Sequence, residues 1–341
     1  MTDLLNRLRL TAAPMEGITT VVWRRLHAEF FGAADRYYLP FVTPTTEPRF
    51  TERQLRELDP RVNGPLTVIP QLLTRRAPDF IWAARALADM GYAEVNLNIG
   101  CPAGTVTAKG KGSGFLREPV ALAAFLDEVF NAQLPIAVSI KTRIGYADEE
   151  EFSDLARLLS SYPVATLTVH PRLKTDLYRG SVRLSVLERS LADITVPLAY
   201  NGDIVNEKDV VRMAERFASV PGGLVEVMVG RALTADPALI RKARGGRPAS
   251  LREITGFMEA LLDEYTVHWG NRMNSFKRMK EYWWFVLCMF EEDSAEGRDL
   301  GKLAKDMFRA RDEARFRALV SELTETHALR TDARYGWFKP A

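Results

Sequence analysis

Cysteine is scarce in this chain: there are two in 341 residues, Cys101 and Cys288, separated by most of its length. Two thiols so far apart make no disulfide framework, and each is expected to be free in a reducing compartment. Histidine is scarce too. The four, at 27, 170, 268 and 327, show no ligand spacing, so no metal site is expected. Long apolar runs are lacking as well. The longest strongly apolar stretch, "WWFVLCMF" at 283–290, falls far short of the roughly 20 residues a membrane-crossing helix needs, and no membrane partner is expected. The opening MTDLLNRLRL puts charges where a secretion signal needs an apolar core, which points to the cytoplasm. Neither charge sign dominates: with 46 basic and 44 acidic residues, any polyanion must be met by a local patch. What remains is 47% hydrophobic and 26% charged, which argues for a folded chain and against disorder.

Short apolar or β-branched runs recur along that chain, each followed by a turn and then, in most cases, a helix-like segment. They are "LRLTAAP" at 8, "YYLPFVT" at 37, "LTVIPQL" at 66, "AEVNLNI" at 93, "IAVSIKT" at 136, "ATLTVHP" at 165, "VPLAYNG" at 196 and "VEVMVGR" at 225. Between them, segments such as 77–91, 119–132 and 149–162 repeat apolar residues every three or four positions, the period of an amphipathic helix. Eight strand–helix units within about 240 residues favour a (β/α)8 TIM barrel over an open sheet. After a basic linker at 241–252 the alternation stops and helical periodicity takes over. The expected organisation is a barrel domain over 1–245 followed by a smaller all-α domain over 250–330.

In such a barrel, function sits where strands end. Those ends read Pro14-Met15-Glu16, Thr43, Gln71, Asn98 with Cys101, Lys141 with Arg143, His170 with Arg172, Asn201-Gly202-Asp203 and Gly230-Arg231. The loops after the seventh and eighth strands commonly present backbone N–H groups to a phosphate. Asn201-Gly202 and Gly230-Arg231 fall in those two loops; one such pair alone is more often just a turn, but the two together point to a phosphorylated cofactor. The glycine-rich "KGKGSGF" at 109–115 has neither P-loop nor dinucleotide spacing and reads as a mobile loop. Lys141 and His170 close apolar strands, where a histidine is commonly structural; facing one mouth, the two can hold a ring carbonyl or developing negative charge. Cys101 reads either as a small buried hydrophobe or, between Gly100 and Pro102 at the rim, as a proton donor, since an ordinary thiol with a pKa of about 8.5 is protonated at neutral pH.

The ordered set "APMEG" (13–17), "PQLL" (70–73), "NLNIGCP" (96–102), "KTRIG" (141–145), "VHPR" (169–172), "NGDI" (201–204), "GRAL" (230–233) and "RMKEYW" (278–283) resembles the tRNA-dihydrouridine synthases, with a lean to the bacterial C-type subgroup. The resemblance implies FMN at the barrel mouth, with Pro14, Met15 and Glu16 alongside the flavin, Gln71 and Lys141 bonding its ring and His170 close to it. It places Asn201, Gly202, Asp203, Gly230 and Arg231 at the ribityl phosphate. Asn98 would face the uracil and Cys101 would be the general acid. Hydride would pass from flavin N5 to uracil C6 and a proton from Cys101 to C5, with NADPH or NADH as reductant. A base inside folded tRNA must be turned out of its stack to be reached. The RNA is expected to meet Arg143, Arg172, Tyr178 and Arg179 around the barrel and, in the tail, Arg272, Lys277, Arg278 and Lys280, which lie off a helical stripe of Met273, Phe276, Met279 and Trp283. A basic helix of this kind is, in isolation, more often a solvated face. A monomer is expected.

Three departures from the family pattern stand out: Pro171 follows His170 where glycine is common, Leu173 follows Arg172 where threonine is common, and the loop after the cysteine, "GTVTAKGKGSG" (104–114), has its own spacing of lysines. Two rival readings share parts of this pattern. One is an FMN barrel acting on a free small molecule, of the dihydroorotate dehydrogenase or ene-reductase type, which leaves the basic tail without a role. The other is a non-catalytic RNA-binding barrel, which leaves Cys101, Lys141 and His170 without one.

Overall fold

A proline closes the sheet. In the computed structural model, which describes residues 2–218, 223–294 and 298–339, nine parallel strands follow in order: β1 (Arg9–Ala12), β2 (Arg36–Tyr38), β3 (Val68–Ile69), β4 (Gln71–Leu72), β5 (Glu94–Ile99), β6 (Ala137–Gly145), β7 (Leu167–Leu173), β8 (Leu198–Asn201) and β9 (Leu224–Val229). The sheet order is β3-β2-β1-β9-β8-β7-β6-β5-β4. Its two ends, β3 and β4, are halves of one run interrupted at Pro70, which has no N–H to give to a ladder. The carbonyl of Pro70 still accepts from Asn96 N–H at 2.8 Å, while Ile69 accepts from Leu39 N–H at 3.0 Å. The run is therefore bonded on both sides, and the nine segments form the eight-stranded barrel the sequence pattern calls for. The three amphipathic segments become the helices Ala77–Asp89, Pro119–Asn131 and Glu151–Ser160.

Two compact units divide the chain: Met1–Val21, Asp35–Asp203 and Val211–Val229 form the first, and Val22–Ala34, Ile204–Val210 and Gly230–Ala341 form the second. All barrel strands belong to the first. Every residue of β5 is buried, as a strand covered on both faces must be. Val95, Leu97 and Ile99 point one way; Glu94, Asn96 and Asn98 point the other, into the lumen, where Asn96 reaches Ser139 on β6. That lumen is polar. Near the start of the strands, the buried Glu226 carboxylate accepts from Arg9 at 3.2 Å and Thr11 at 3.0 Å, and Arg36 pairs with Glu94 at 2.8 Å. Burial pushes the Glu226 carboxyl above its usual range against the pull of Arg9. A buried acid of this kind stays only because donors surround it.

The second unit is helical: α1 (Leu251–Trp269), α2 (Arg272–Val286), α3 (Leu300–Arg309) and α4 (Glu313–Thr326). Each starts on a side-chain cap, from Ser250, Asn271, Asp299 and Asp312 respectively, worth about 1 kcal/mol apiece. Gly270 ends α1 at φ 62°, a left-handed position that suits glycine. The segment 22–34 joins this unit because its aromatic face is matched there: Phe31 meets Phe257 edge-on at 5.2 Å, and His27 Nε2 donates to the Pro237 carbonyl at 2.9 Å. The units thus do not divide at the 241–252 linker. Among the described residues, no helix is long and apolar enough to cross a membrane.

Candidate active site

Parallel register lines up the functional side chains. Asn98 on β5 pairs with Lys141 on β6, and Arg143 on β6 pairs with His170 on β7. Residues opposed in this way share a face, so the four point into the lumen at its C-terminal mouth. Lower in the lumen a ladder of amides begins. Asn96 Nδ2 donates to Ser139 Oγ at 2.9 Å, Gln71 Nε2 donates to Asn96 Oδ1 at 2.8 Å, and Asn98 Nδ2 donates to Gln71 Oε1 at 2.7 Å. Asn98 Oδ1 then accepts from the N–H groups of Gly100 at 3.0 Å and Cys101 at 2.9 Å.

The carbonyl of Cys101 is held from the other side, by Ser113 N–H at 3.0 Å and Ser113 Oγ at 2.9 Å. Both backbone polar groups of the cysteine are therefore fixed. The glycine-rich loop expected to be mobile is instead packed: Gly112, Ser113 and Gly114 are buried. A Cβ on Gly112 would stand 2.7 Å from the Cys101 carbonyl oxygen and 2.9 Å from Val106 Cγ1. These glycines permit close approach of two backbones. Asn96, Ser139, Gly112 and Ser113 are site residues that sequence reasoning missed; the one available signal was the serine between two glycines shortly after the cysteine.

Burial raises the Cys101 thiol above its ordinary pKa, with Glu16 adding to the rise; the Ala103 backbone N–H, Lys141 and Arg143 pull the other way. Lys141 is the reciprocal case. Burial first and Arg143 second bring its ammonium down to about 8, with Cys101 opposing. No hydrogen bond or ion pair to the Lys141 ammonium is present among the described residues. Arg143 donates to the carbonyls of Gly100 at 3.0 Å and Leu173 at 2.7 Å, and its buried Nη2 has the Tyr178 side chain as a polar neighbour but no strict hydrogen-bond acceptor. A thiol, an ammonium and a guanidinium nitrogen thus meet at one mouth with donor capacity to spare, which suits an electron-rich, acceptor-bearing ring.

His170 has a different neighbour. Arg172 Nη1 lies 3.0 Å from His170 Nε2, while its Nη2 donates to Asp203 Oδ2 at 2.7 Å and to the Gly180 carbonyl at 2.5 Å. Asp203 also accepts from Val182 N–H at 3.2 Å. Arg143 and Arg172 are 1% and 2% exposed, so the two arginines expected to meet RNA hold loop carbonyls in the interior instead. Their loop, 174–183, presents Leu177, Tyr178 and Arg179 to solvent, and the Arg143 guanidinium lies 5.2 Å from the centre of the Tyr178 ring. Asn201 Nδ2 donates to the Met228 carbonyl at 2.8 Å. A Cβ on Gly202 would meet Val182 at 2.8 Å and Tyr200 at 3.2 Å. Pro14 and Met15 are half-buried and Glu16 exposed in the turn after β1, where Met15 N–H donates to Thr19 at 2.8 Å.

In the second unit, Gly230 precedes the short helix Arg231–Ala235, and the Arg231 guanidinium lies 5.2 Å from the Tyr335 ring. Of the four tail residues expected to meet RNA, three are engaged within the bundle. Arg272 pairs with Asp263 and Glu313, both at 2.7 Å, Arg278 pairs with Glu281, and Lys280 donates to the carbonyls of Phe308 and Ala310. Lys277 is exposed and has no partner among the described residues. Phe276, Met279 and Trp283 are buried as expected, but Met273 is 48% exposed and leaves the stripe. A cavity of about 320 Å³ opens in this unit between Met258, Leu262, Phe276, Met279, Trp283 and Phe316. Its lining includes Glu259, Glu313 and Arg317, and the arginine pairs with both carboxylates, at 2.7 and 2.8 Å.

A protein of Staphylococcus epidermidis named probable tRNA-dihydrouridine synthase is 27% identical over 282 residues, 79% of this chain and 82% of that protein. A Synechocystis protein named probable tRNA-dihydrouridine synthase 1 is 32% identical over 235 residues, 68% of this chain and 63% of that one. Among solved structures, the old yellow enzyme homologue from Zymomonas mobilis matches with a TM-score of 0.50 and 12% identity over 72% of this chain and 91% of that one, a likeness of fold alone. The family model described as dihydrouridine synthase (Dus) matches residues 11–320, nearly the whole chain, which therefore belongs to the dihydrouridine synthase family.

Proposed function

We propose that this chain reduces the C5=C6 bond of a uridine in the D-loop of tRNA to dihydrouridine, acting in the cytoplasm with FMN as cofactor and NADPH or NADH as reductant. The single observation that supports this most is the pairing at the mouth of a thiol kept protonated by burial with a Lys141 ammonium that has no acceptor. A buried donor without a partner costs stability unless a ligand supplies one. The spare donors of Lys141 and Arg143, beside His170, fit the carbonyls and ring nitrogens of a flavin.

When bound, FMN supplies the hydride that goes to uracil C6, and the nicotinamide nucleotide restores it. Cys101 completes the saturation. Its S–H bond breaks, the proton goes to C5, and the thiolate left behind lies beside Lys141 and Arg143, which stabilise it. Asn98 and Ser113 hold the turn that aims the thiol. Gln71, Lys141 and His170 meet the ring, Pro14, Met15 and Glu16 flank it, and Asn201, Gly202 and Asp203 serve the phosphate end. Gly230 and Arg231, next in the chain after β9, join that role through the family resemblance. The exposed Tyr178 and Arg179 and the tail's Lys277 are the side chains best placed for RNA, since a phosphate needs a cation that is free to reach it.

The test is to map dihydrouridine in tRNA from cells lacking this gene and from cells carrying Cys101→Ala. One or a few D-loop positions should lose the modification in the deletion, and the alanine variant should rescue it poorly. Full rescue by alanine would remove the acid role, and an unchanged map in the deletion would remove tRNA as the substrate.

A further inference from the structure

A guanidinium carries five N–H donors and no acceptor. Arg172 Nη1 lies 3.0 Å from His170 Nε2, so Nε2 must be the acceptor and its lone pair must be bare. In the neutral ring the proton then sits on Nδ1. Arg172 cannot swing away to relieve this, because Asp203 and the Gly180 carbonyl hold its Nη2 and the side chain is 2% exposed. The ring is confined as well. Its Cδ2 lies 3.4 Å from the position a Gly202 Cβ would take, and the Tyr178 ring is 6.4 Å away between centres.

Charges around the ring work in the same direction. Arg172 stands beside it on β7, Arg143 faces it in register on β6 with Lys141 two residues earlier, and the nearby carboxylate, Asp203, is already bonded to Arg172. Protonating Nε2 would both break the Arg172 bond and place a fourth cation among those. We propose that Arg172, braced by Asp203, locks His170 as the neutral Nδ1–H imidazole, so that His170 serves as a fixed N–H donor and not as a proton shuttle. Arg172 is thereby a positioning residue. Its relevance to catalysis rests on the function proposed above, but the lock itself does not.

The experiment is a nitrogen-15 spectrum of the imidazoles in the purified full-length protein, which has four histidines, with His170 assigned by its disappearance in His170→Gln. In the wild type, Nε2 should resonate where unprotonated ring nitrogens do and Nδ1 where protonated ones do, and this pattern should persist as pH falls well below the ordinary histidine value of about 6.5. In Arg172→Met, His170 should exchange between tautomers and titrate nearer that value. A wild-type ring protonated at Nε2 at neutral pH overturns the proposal, whether or not the methionine variant folds. So does a methionine variant that folds and keeps the wild-type pattern. Neither flavin chemistry nor RNA enters the readout, so loss of the lock and loss of the proposed reaction are separate outcomes.

Discussion

Lys141 is expected to stabilise the loaded protein and to destabilise the flavin-free one. The ammonium's ordinary pKa is 10.5, and burial beside Arg143 brings it to about 8. The unfolded chain keeps this proton up to the higher value and the folded chain only up to the lower one. Below pH 8 both states are charged and folding bears the full penalty. Between about 8 and 10.5 the folded lysine is neutral while the unfolded one still binds its proton, so stability rises with pH across that window. The penalty at neutral pH corresponds to about 3 kcal/mol, an upper bound because the side chain lines an open mouth and keeps some water. Lys141→Met keeps the length of the side chain and removes the charge. Flavin-stripped Lys141→Met should therefore resist urea better than stripped wild type at pH 7, by up to that amount, and the gap should close towards pH 10. On the proposed function, adding FMN should reverse the order, since the wild type would then gain an acceptor for its ammonium. Equal or lower stability of the stripped methionine variant at pH 7 would refute the reasoning.

Gly112→Ala sets a Cβ 2.7 Å from the Cys101 carbonyl at φ 55°, a conformation that costs a non-glycine residue about 1–2 kcal/mol. Displacing the thiol by a fraction of an ångström should slow dihydrouridine formation by roughly 10- to 100-fold while flavin absorbance is retained; an unchanged rate would mean the loop does not aim the thiol. In the tail, Lys277→Ala should weaken RNA binding and lower the salt slope by about one. Lys280→Met should instead lower stability by about 1 kcal/mol with RNA affinity unchanged, and equal loss of affinity in both variants would undo the distinction drawn from their contacts.

The barrel was legible because strand ends are fixed by alternation, so reactive residues could be assigned to a rim before any coordinate was known. Cys101, Lys141 and His170 were assigned to the mouth that way, and the strand register places Lys141 and His170 there. The arginines were found but given the wrong surroundings: a guanidinium after a strand looks the same in sequence whether it meets solvent or, as for Arg143 and Arg172, a set of loop carbonyls. The 109–115 loop misled for a related reason. Glycine marks both freedom and close approach, and only the neighbouring Cys101 carbonyl shows which applies at Gly112. The grouping of 22–34 with the tail was also hidden, because an amphipathic period tells that a face is buried without telling what buries it. Here it is Phe257, far along the chain.

Asn96 and Ser139 escaped notice because they lie within strands, away from the reactive ends. Their place in the amide ladder explains why this lumen is polar where barrels of this kind are commonly filled by branched apolar residues. Apolar packing would fill the same volume, but it would leave the Asn98 Nδ2 without its acceptor and the amide held from one side only. With Gln71 tied to Asn96, and Asn96 tied to Ser139, the Asn98 carboxamide has one orientation, with Oδ1 towards the N–H groups of Gly100 and Cys101. Each amide donates and accepts in turn, so reversing Gln71 or Asn96 breaks two bonds at once and reversing Asn98 breaks three. The backbone of Cys101 is thus held by a hydrogen-bonded chain rooted deep in the barrel, and a buried polar interior is what the proposed proton transfer at its mouth would require.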